Sequence, residues 1–271
     1  MSSIALSTIR TTLELILSLP TSVSYVGSDQ ELQDLNEGYQ KSAYKYDWPQ
    51  LLVKRGIPLR ANDRKYLIPA NFRKMHSVRV RNGLRTECEL DDIKRSWGKY
   101  AIDRSTRELI LHELPASAST AYTLSGAESA GNAVTIELDV TSGLSVGDEI
   151  FIDDATNPEV TYVVSITAGA SIVARLASSK SAGTILYRAD DCIMMNYYMA
   201  ITKLSASTDT ILLPDEVDLI ICHYAAHLAF DRLEDKTRSD TQLEKWATRL
   251  ADAWLAWDKN STGLTAEFVV T

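Results

Sequence analysis

His223 and His227 stand four residues apart in the stretch ICHYAAHLAF, with Cys222 beside the first. On a helix, that spacing places both imidazoles on one face, where a zinc ion could be held. A zinc site needs three or four ligands. Cys222 is one residue from His223, so it points about 100° away around a helix and leaves that face. Asp231 extends the face instead. The metalloprotease pattern puts Glu directly after the first His, and Tyr224 occupies that position here. The neighbours Val217, Ile220, Ile221, Leu228 and Phe230 are apolar. His223, His227 and Asp231 therefore read as the polar seam of a mostly buried helix. A metal-binding protein or enzyme using His223 and His227 is the alternative of a different class.

Other chemistry is sparse. The sequence has no phosphate loop, dinucleotide glycine fingerprint, GxSxG elbow or CxxC pair. Asp153-Asp154 and Asp190-Asp191 are paired carboxylates at strand ends, where turns favour Asp on their own account. Trp246, Trp254 and Trp257 recur at helical spacing and read as a packing face. No catalytic residue, metal ligand or cofactor is expected.

The charged segment from Lys54 to Arg95 is more informative. It carries twelve basic residues, among them Arg73, Lys74, Arg79, Arg81 and Arg85, against five acids. The whole chain has net charge −8, which argues against a general nucleic-acid binder and leaves the remainder strongly acidic. In HSVRVR, Arg79 and Arg81 share one face of a strand, while Val78 and Val80 share the other. That arginine side is either a solvated face or a basic rim that meets nucleic acid or an acidic partner.

The elements that position these residues can be read from periodicity. Ile9, Leu13, Ile16 and Leu17 predict a helix over 7–19, ended by Pro20. Ser28-Asp29-Gln30-Glu31 is a capping box that opens a second helix, with Leu32, Leu35 and Tyr39 as its stripe and Trp48-Pro49 as its stop. From 51 to 112 the period moves toward two. HSVRVR leads into Asn82-Gly83, a hairpin signal, and YAID with ELIL forms a second hairpin. These predict a small antiparallel sheet packed on the helices.

Composition turns rich in Ala, Ser, Thr and Gly after Pro115. Short strands are then expected over 134–140, 149–152, 160–166, 172–174 and 184–187, divided by turn signals at Gly143, Gly147 and Gly183. This rhythm predicts an inserted small barrel or sandwich. CIMMNYYM reads as a strand returning to the first sheet. Pro214 and Asp215 open a helix, and Ser239-Asp240-Thr241-Gln242 reads as a second capping box for a terminal helix that Gly263 ends.

The chain has 271 residues, enough for one large domain or two smaller ones. No apolar run reaches the roughly 18 residues of a membrane span, and the start lacks a signal-peptide pattern. Cys88, Cys192 and Cys222 are odd in number and far apart, which fits reduced thiols in a cytosolic setting.

The order of elements resembles the head-to-tail adaptor (head completion or connector) proteins of tailed bacteriophages. Leu35-Asn36 with Tyr39, Trp48-Pro49, Tyr66-Leu67-Ile68-Pro69, and Leu212-Leu213-Pro214 leading into an alanine-rich helix carry the likeness. It covers the chain except 116–189. The resemblance implies an α+β fold: an α-helical bundle core with a small antiparallel sheet and an inserted all-β domain. The adaptor core would be 1–115 and 190–262, the insertion 116–189, and a C-terminal arm 263–271.

The resemblance also implies a non-enzymatic virion protein in the neck between capsid and tail, assembled in the host cytoplasm. It would form a homo-oligomeric ring of about twelve copies beneath the portal protein. The ring would extend the channel for genomic DNA, without sequence-specific binding, and would offer a platform to a tail protein, with no membrane involved. Leu264, Phe268, Val269 and Val270 would dock into the portal as an added strand or in an apolar groove. Arg73, Lys74, Arg79, Arg81 and Arg85 would lie at the ring interface or in the channel. A tail-completion or short-tail nozzle protein is the nearest alternative.

Overall fold

The computed structural model describes residues 5–17, 28–81, 83–95 and 97–267. They form two compact units, one of residues 1–52 with 200–271 and the other of residues 53–199. Pro20, Asn82, Phe268, Val269, Val270 and the side chains of Ser28 and Leu264 lie outside the described residues.

The first unit holds the helices α1 (Leu6–Leu17), α2 (Ser28–Lys45), α3 (Asp215–Arg232) and α4 (Lys236–Glu267). α3 packs against the other three. Most of its middle is buried because of this, while Glu216, Leu219, Asp231 and Arg232 stay exposed. Val217, Ile221, Cys222, Ala225 and Ala229 are fully buried. Small residues permit close approach: a Cβ on Gly38 of α2 would stand 2.9 Å from the Ile221 carbonyl oxygen. The buried Asp34 of α2 receives the Arg232 guanidinium of α3, with Nη1 donating to Oδ1 at 3.0 Å.

The second unit is sheet. Its first seven-stranded sheet comprises β1 (Leu52–Pro58), β2 (Lys65–Leu67), β3 (Phe72–Val80), β4 (Gly83–Glu87), β5 (Lys99–Asp103), β6 (Glu108–Leu111) and β13 (Cys192–Met199). The strand order is β1-β13-β3-β4-β5-β6-β2. The six-stranded sheet comprises β7 (Ala121–Thr123), β8 (Gly131–Glu137), β9 (Glu149–Asp153), β10 (Glu159–Thr167), β11 (Ser171–Leu176) and β12 (Ile185–Arg188), in the order β7-β12-β9-β10-β11-β8. Each sheet has its own core, with Val78, Tyr66, Leu109 and Tyr197 in one and Ile136, Ile150, Ile172 and Leu186 in the other.

This architecture overturns the expected α+β fold with an α-helical bundle core and a small sheet. The chain is mostly sheet, curled into two half-barrels, and its helices belong to the two ends of the sequence. The first sheet is also mixed, since β4 and β5 pair in parallel. Long amphipathic helices dominate a periodicity reading, whereas the pairing of β13 with β3 spans more than a hundred residues and leaves no local trace.

Two bulges further hide β3 from a period-two reading. Asn196 and Tyr197 face Ser77 and Met75, and Tyr198 and Met199 face Lys74 and Phe72. His76 and Arg73 are therefore the extra residues. In the six-stranded sheet the turn glycines Gly143, Gly147 and Gly183 all take positive φ, as their turns require. α4 starts three residues before Ser239 and continues through Gly263 to Glu267, so the expected helix limits are corrected at both ends.

Candidate functional site

The histidine helix is held against α4. Arg249 Nη1 donates to His223 Nε2 at 2.8 Å, so that nitrogen carries the lone pair. His223 Nδ1 then donates to Gln242 Oε1 at 2.7 Å. Burial, with the charges of Arg249 and Lys245, holds the His223 imidazole below its usual range, while the Gln242 contact opposes this. His227 Nδ1 lies 2.8 Å from Ser239 Oγ, and Asp231 is exposed. Among the described residues no three His, Cys, Asp or Glu side chains converge as a metal set.

Ser239 and Gln242, which the sequence offers as a capping box, are instead the partners of the two histidines. The α4 cap is Asp235, whose carboxylate accepts from the Arg238 amide at 3.1 Å. The missed signal was legible. Ser239, Gln242, Trp246 and Arg249 are spaced three, four and three apart, which places them on one face of α4.

Of the residues that carry the phage resemblance, Asn36, Tyr39, Trp48 and Leu212 belong to the helical unit and Tyr66, Leu67, Ile68 and Pro69 to the sheet unit. Asn36 Nδ2 donates to the Leu204 carbonyl at 3.0 Å, and Asn36 Oδ1 accepts from the Leu204 amide at 2.7 Å. The Tyr39 hydroxyl accepts from the Leu212 amide at 3.0 Å, and burial pushes that phenol up to about 12. Trp48 Nε1 donates to the Ser42 carbonyl at 3.0 Å. Tyr46 stacks on Trp254 with ring centroids 5.1 Å apart, and Trp246 Nε1 donates to Ser42 Oγ. Trp246 and Trp254 thus serve α4 packing.

The basic strands of the second unit are largely matched by acids of the same unit. Arg79 Nη2 lies 3.3 Å from Glu149 Oε2, and Lys54 Nζ engages the same carboxylate. Tyr162 donates to it at 2.8 Å. Burial raises the Glu149 carboxyl, but the hydrogen bonds from Lys54 and Tyr162 and the charges of Lys54 and Arg79 outweigh it and hold the group below its ordinary value. Arg81 donates to Ser117 and lies 3.9 Å from Asp191; Arg85 lies 3.4 Å from Glu113.

Arg81 and Arg85 line a cavity of about 210 Å³ together with Leu59, Leu111, Leu114, Lys99 and Glu113. Arg73 lies 5.6 Å over the Tyr198 ring, with Lys74 Nζ 5.9 Å from the same ring. The four candidate arginines and Lys74 are thus dispersed over β3, β4 and their ends and do not converge on one spot. The paired aspartates serve structure: Asp154 caps its turn by accepting from the Thr156 and Asn157 amides, Asp190 pairs with Arg188, and Asp191 accepts from the Thr120 amide. No protein-family model matches the chain, and no curated protein matches it.

Proposed function

We propose that this chain is a non-enzymatic virion structural protein, a head-to-tail adaptor. In this reading it forms a homo-oligomeric ring under a portal protein in the neck of a tailed phage. The ring continues the DNA channel and carries the tail. The observation behind the proposal is that four of the resemblance residues, Asn36, Tyr39, Trp48 and Leu212, make hydrogen bonds that help tie the helical unit together. They form one packing scheme, without any catalytic group among them. The proposal leans on that helical unit alone, because the sheet-dominated architecture departs from the family's helical core.

Surface chemistry supports assembly as well. Leu255 on α4 is 52% exposed and Leu219 on α3 44%. Large apolar side chains exposed on two helices are suited to burial by a second copy or a partner. The test is the solution mass of the purified full chain, by size exclusion with light scattering. A closed ring is expected, and Leu219→Glu with Leu255→Glu should reduce it to monomer without loss of helicity. A monomer at all concentrations, with or without portal, overturns the proposal.

A further inference from the structure

Trp97 is 79% exposed, the most open large apolar side chain among the described residues. It stands between the short 3-10 helix Leu90–Arg95 and β5. Its ring centroid lies 5.8 Å from that of His112, and His112 Nδ1 donates to the Ile93 carbonyl at 2.6 Å. The indole is thus presented to solvent against a fixed neighbour, which lowers the entropy it loses on meeting a partner.

The neighbouring strand extends this face. Leu84 of β4 lies opposite Arg79 of β3, away from the side of the buried Val78 and Val80, and is 66% exposed. Thr86 pairs with Lys99 of β5, so alternation puts Lys99 on the same side as Leu84. The His112 amide donates to the Lys99 carbonyl at 3.2 Å, which sets His112 beside that strand end. Lys94 and Arg95 occupy the last turn before Trp97. Lys94, Arg95 and Lys99 form no ion pair among the described residues.

The helical unit carries the opposite pattern. Residues 53–115 hold fifteen Lys and Arg against eight Asp and Glu, whereas the helical unit holds ten against eighteen. On α4, Glu244, Asp252 and Leu255 fall within about 80° around the helix, and all three are exposed. An exposed leucine beside two carboxylates on one unit matches an exposed tryptophan beside three cations on the other.

We propose that the Trp97 face docks a second copy of this chain, on the Glu244, Asp252 and Leu255 strip of its α4. The two patches differ, so the contact is heterologous. Each copy offers one of each, and copies add head to tail until they close into a ring or run on as a filament. The charges set the register, and Trp97 with Leu84 and Leu255 supplies the desolvated centre. The proposal rests on the self-association in the adaptor reading and on nothing it says of portal or ring size.

The experiment uses two full-length variants, Trp97→Asp and Leu255→Glu, with circular dichroism to check folding and light scattering to give mass. Each lacks one patch, and each is expected to need a concentration about thirtyfold higher, or more, to assemble than the unaltered chain. Mixed, they keep one sound contact, the α4 strip of Trp97→Asp on the Trp97 face of Leu255→Glu. The mixture is expected to give a 1:1 dimer and nothing larger. Leu67→Asp, at another exposed leucine of the same sheet, is the control and should assemble normally.

Normal assembly of Trp97→Asp, or a mixture that stays monomeric, overturns the proposal. An unaltered chain that is monomeric at all concentrations overturns it together with the adaptor reading. Assembly that ignores portal, with variants that still pair, overturns the adaptor reading alone. If Trp97→Asp assembles normally but loses a single-stranded oligonucleotide that the unaltered chain binds, the face serves nucleic acid and the proposal falls. Should Trp97→Asp fail to fold, Leu84→Asp removes the same face.

Discussion

Arg249 donates a hydrogen bond to Nε2 of His223 across the α3–α4 contact. An arginine cannot accept, so this bond exists only while His223 is neutral. The folded imidazole is held below its usual range, chiefly by burial. The unfolded chain takes up a proton near pH 6.5, and the folded chain takes it up at lower pH. His223 therefore lowers stability as pH falls below about 6.5, because the unfolded state binds more protons there. Thermal midpoints measured from pH 8 downward should fall in that window, and the fall should shrink in His223→Gln. At pH 8, His223→Ala should cost about 2 kcal/mol, since Gln242 and Arg249 lose a buried partner. An identical acid-side fall in the variant would assign the effect elsewhere.

Gly56 of β1 lies against Phe151 of β9. A Cβ at Gly56 would stand 2.5 Å from ring carbons of Phe151. Gly56→Ala should destabilise the chain by about 1–3 kcal/mol, as overpacking does. Urea unfolding of Gly56→Ala, Phe151→Leu and the double variant should reveal coupling, with the smaller leucine recovering part of the loss. Strict additivity would show that the two sheets do not press together there.

Glu149 collects Lys54, Arg79 and Tyr162 on one carboxylate. Its folded pKa is lowered. Its contribution to stability is thus present above its unfolded value, near 4.3, and is lost as pH falls through the lower folded value. Glu149→Gln should reduce stability at pH 7 by about 1–3 kcal/mol and flatten the acid limb of the stability curve. An acid limb of unchanged steepness would contradict this assignment.

Lys180 is fully buried in the six-stranded sheet. Its Nζ lies 3.2 Å from Glu159 and donates to the Asn157 carbonyl and Ser178 Oγ. Lys180→Met leaves Glu159 with a buried unpaired charge and should cost about 3–5 kcal/mol by chemical denaturation. A cost under about 1 kcal/mol would show that water takes the ammonium's place.

Much of the local structure was legible in the sequence. The stripe of Leu35 and Tyr39 predicts α2, and turn glycines at 143, 147 and 183 bracket the short strands of the six-stranded sheet. What the sequence hides is partner choice. β13 slots between β1 and β3, and nothing in CIMMNYYM names those neighbours. The bulges at His76 and Arg73 break the alternation on which strand reading depends. The histidine pair shows the same limit at closer range. Its spacing was visible, but Ser239 and Gln242 were read as a cap because the helix start at Lys236 was not.

In the adaptor reading, the C-terminal arm is what would dock into the portal. Within the adaptor reading, removal of 264–271 should abolish association with portal while the helical unit still folds. A pull-down of purified portal by the truncated chain checks this, and unchanged capture would reject the arm's role.

Electron microscopy of the purified chain, with and without portal, tests the proposed assembly at a phage neck. Rings with an axial channel are expected, stacked coaxially on the portal when both are present. Dispersed monomers that neither close into rings nor decorate the portal would contradict the claim.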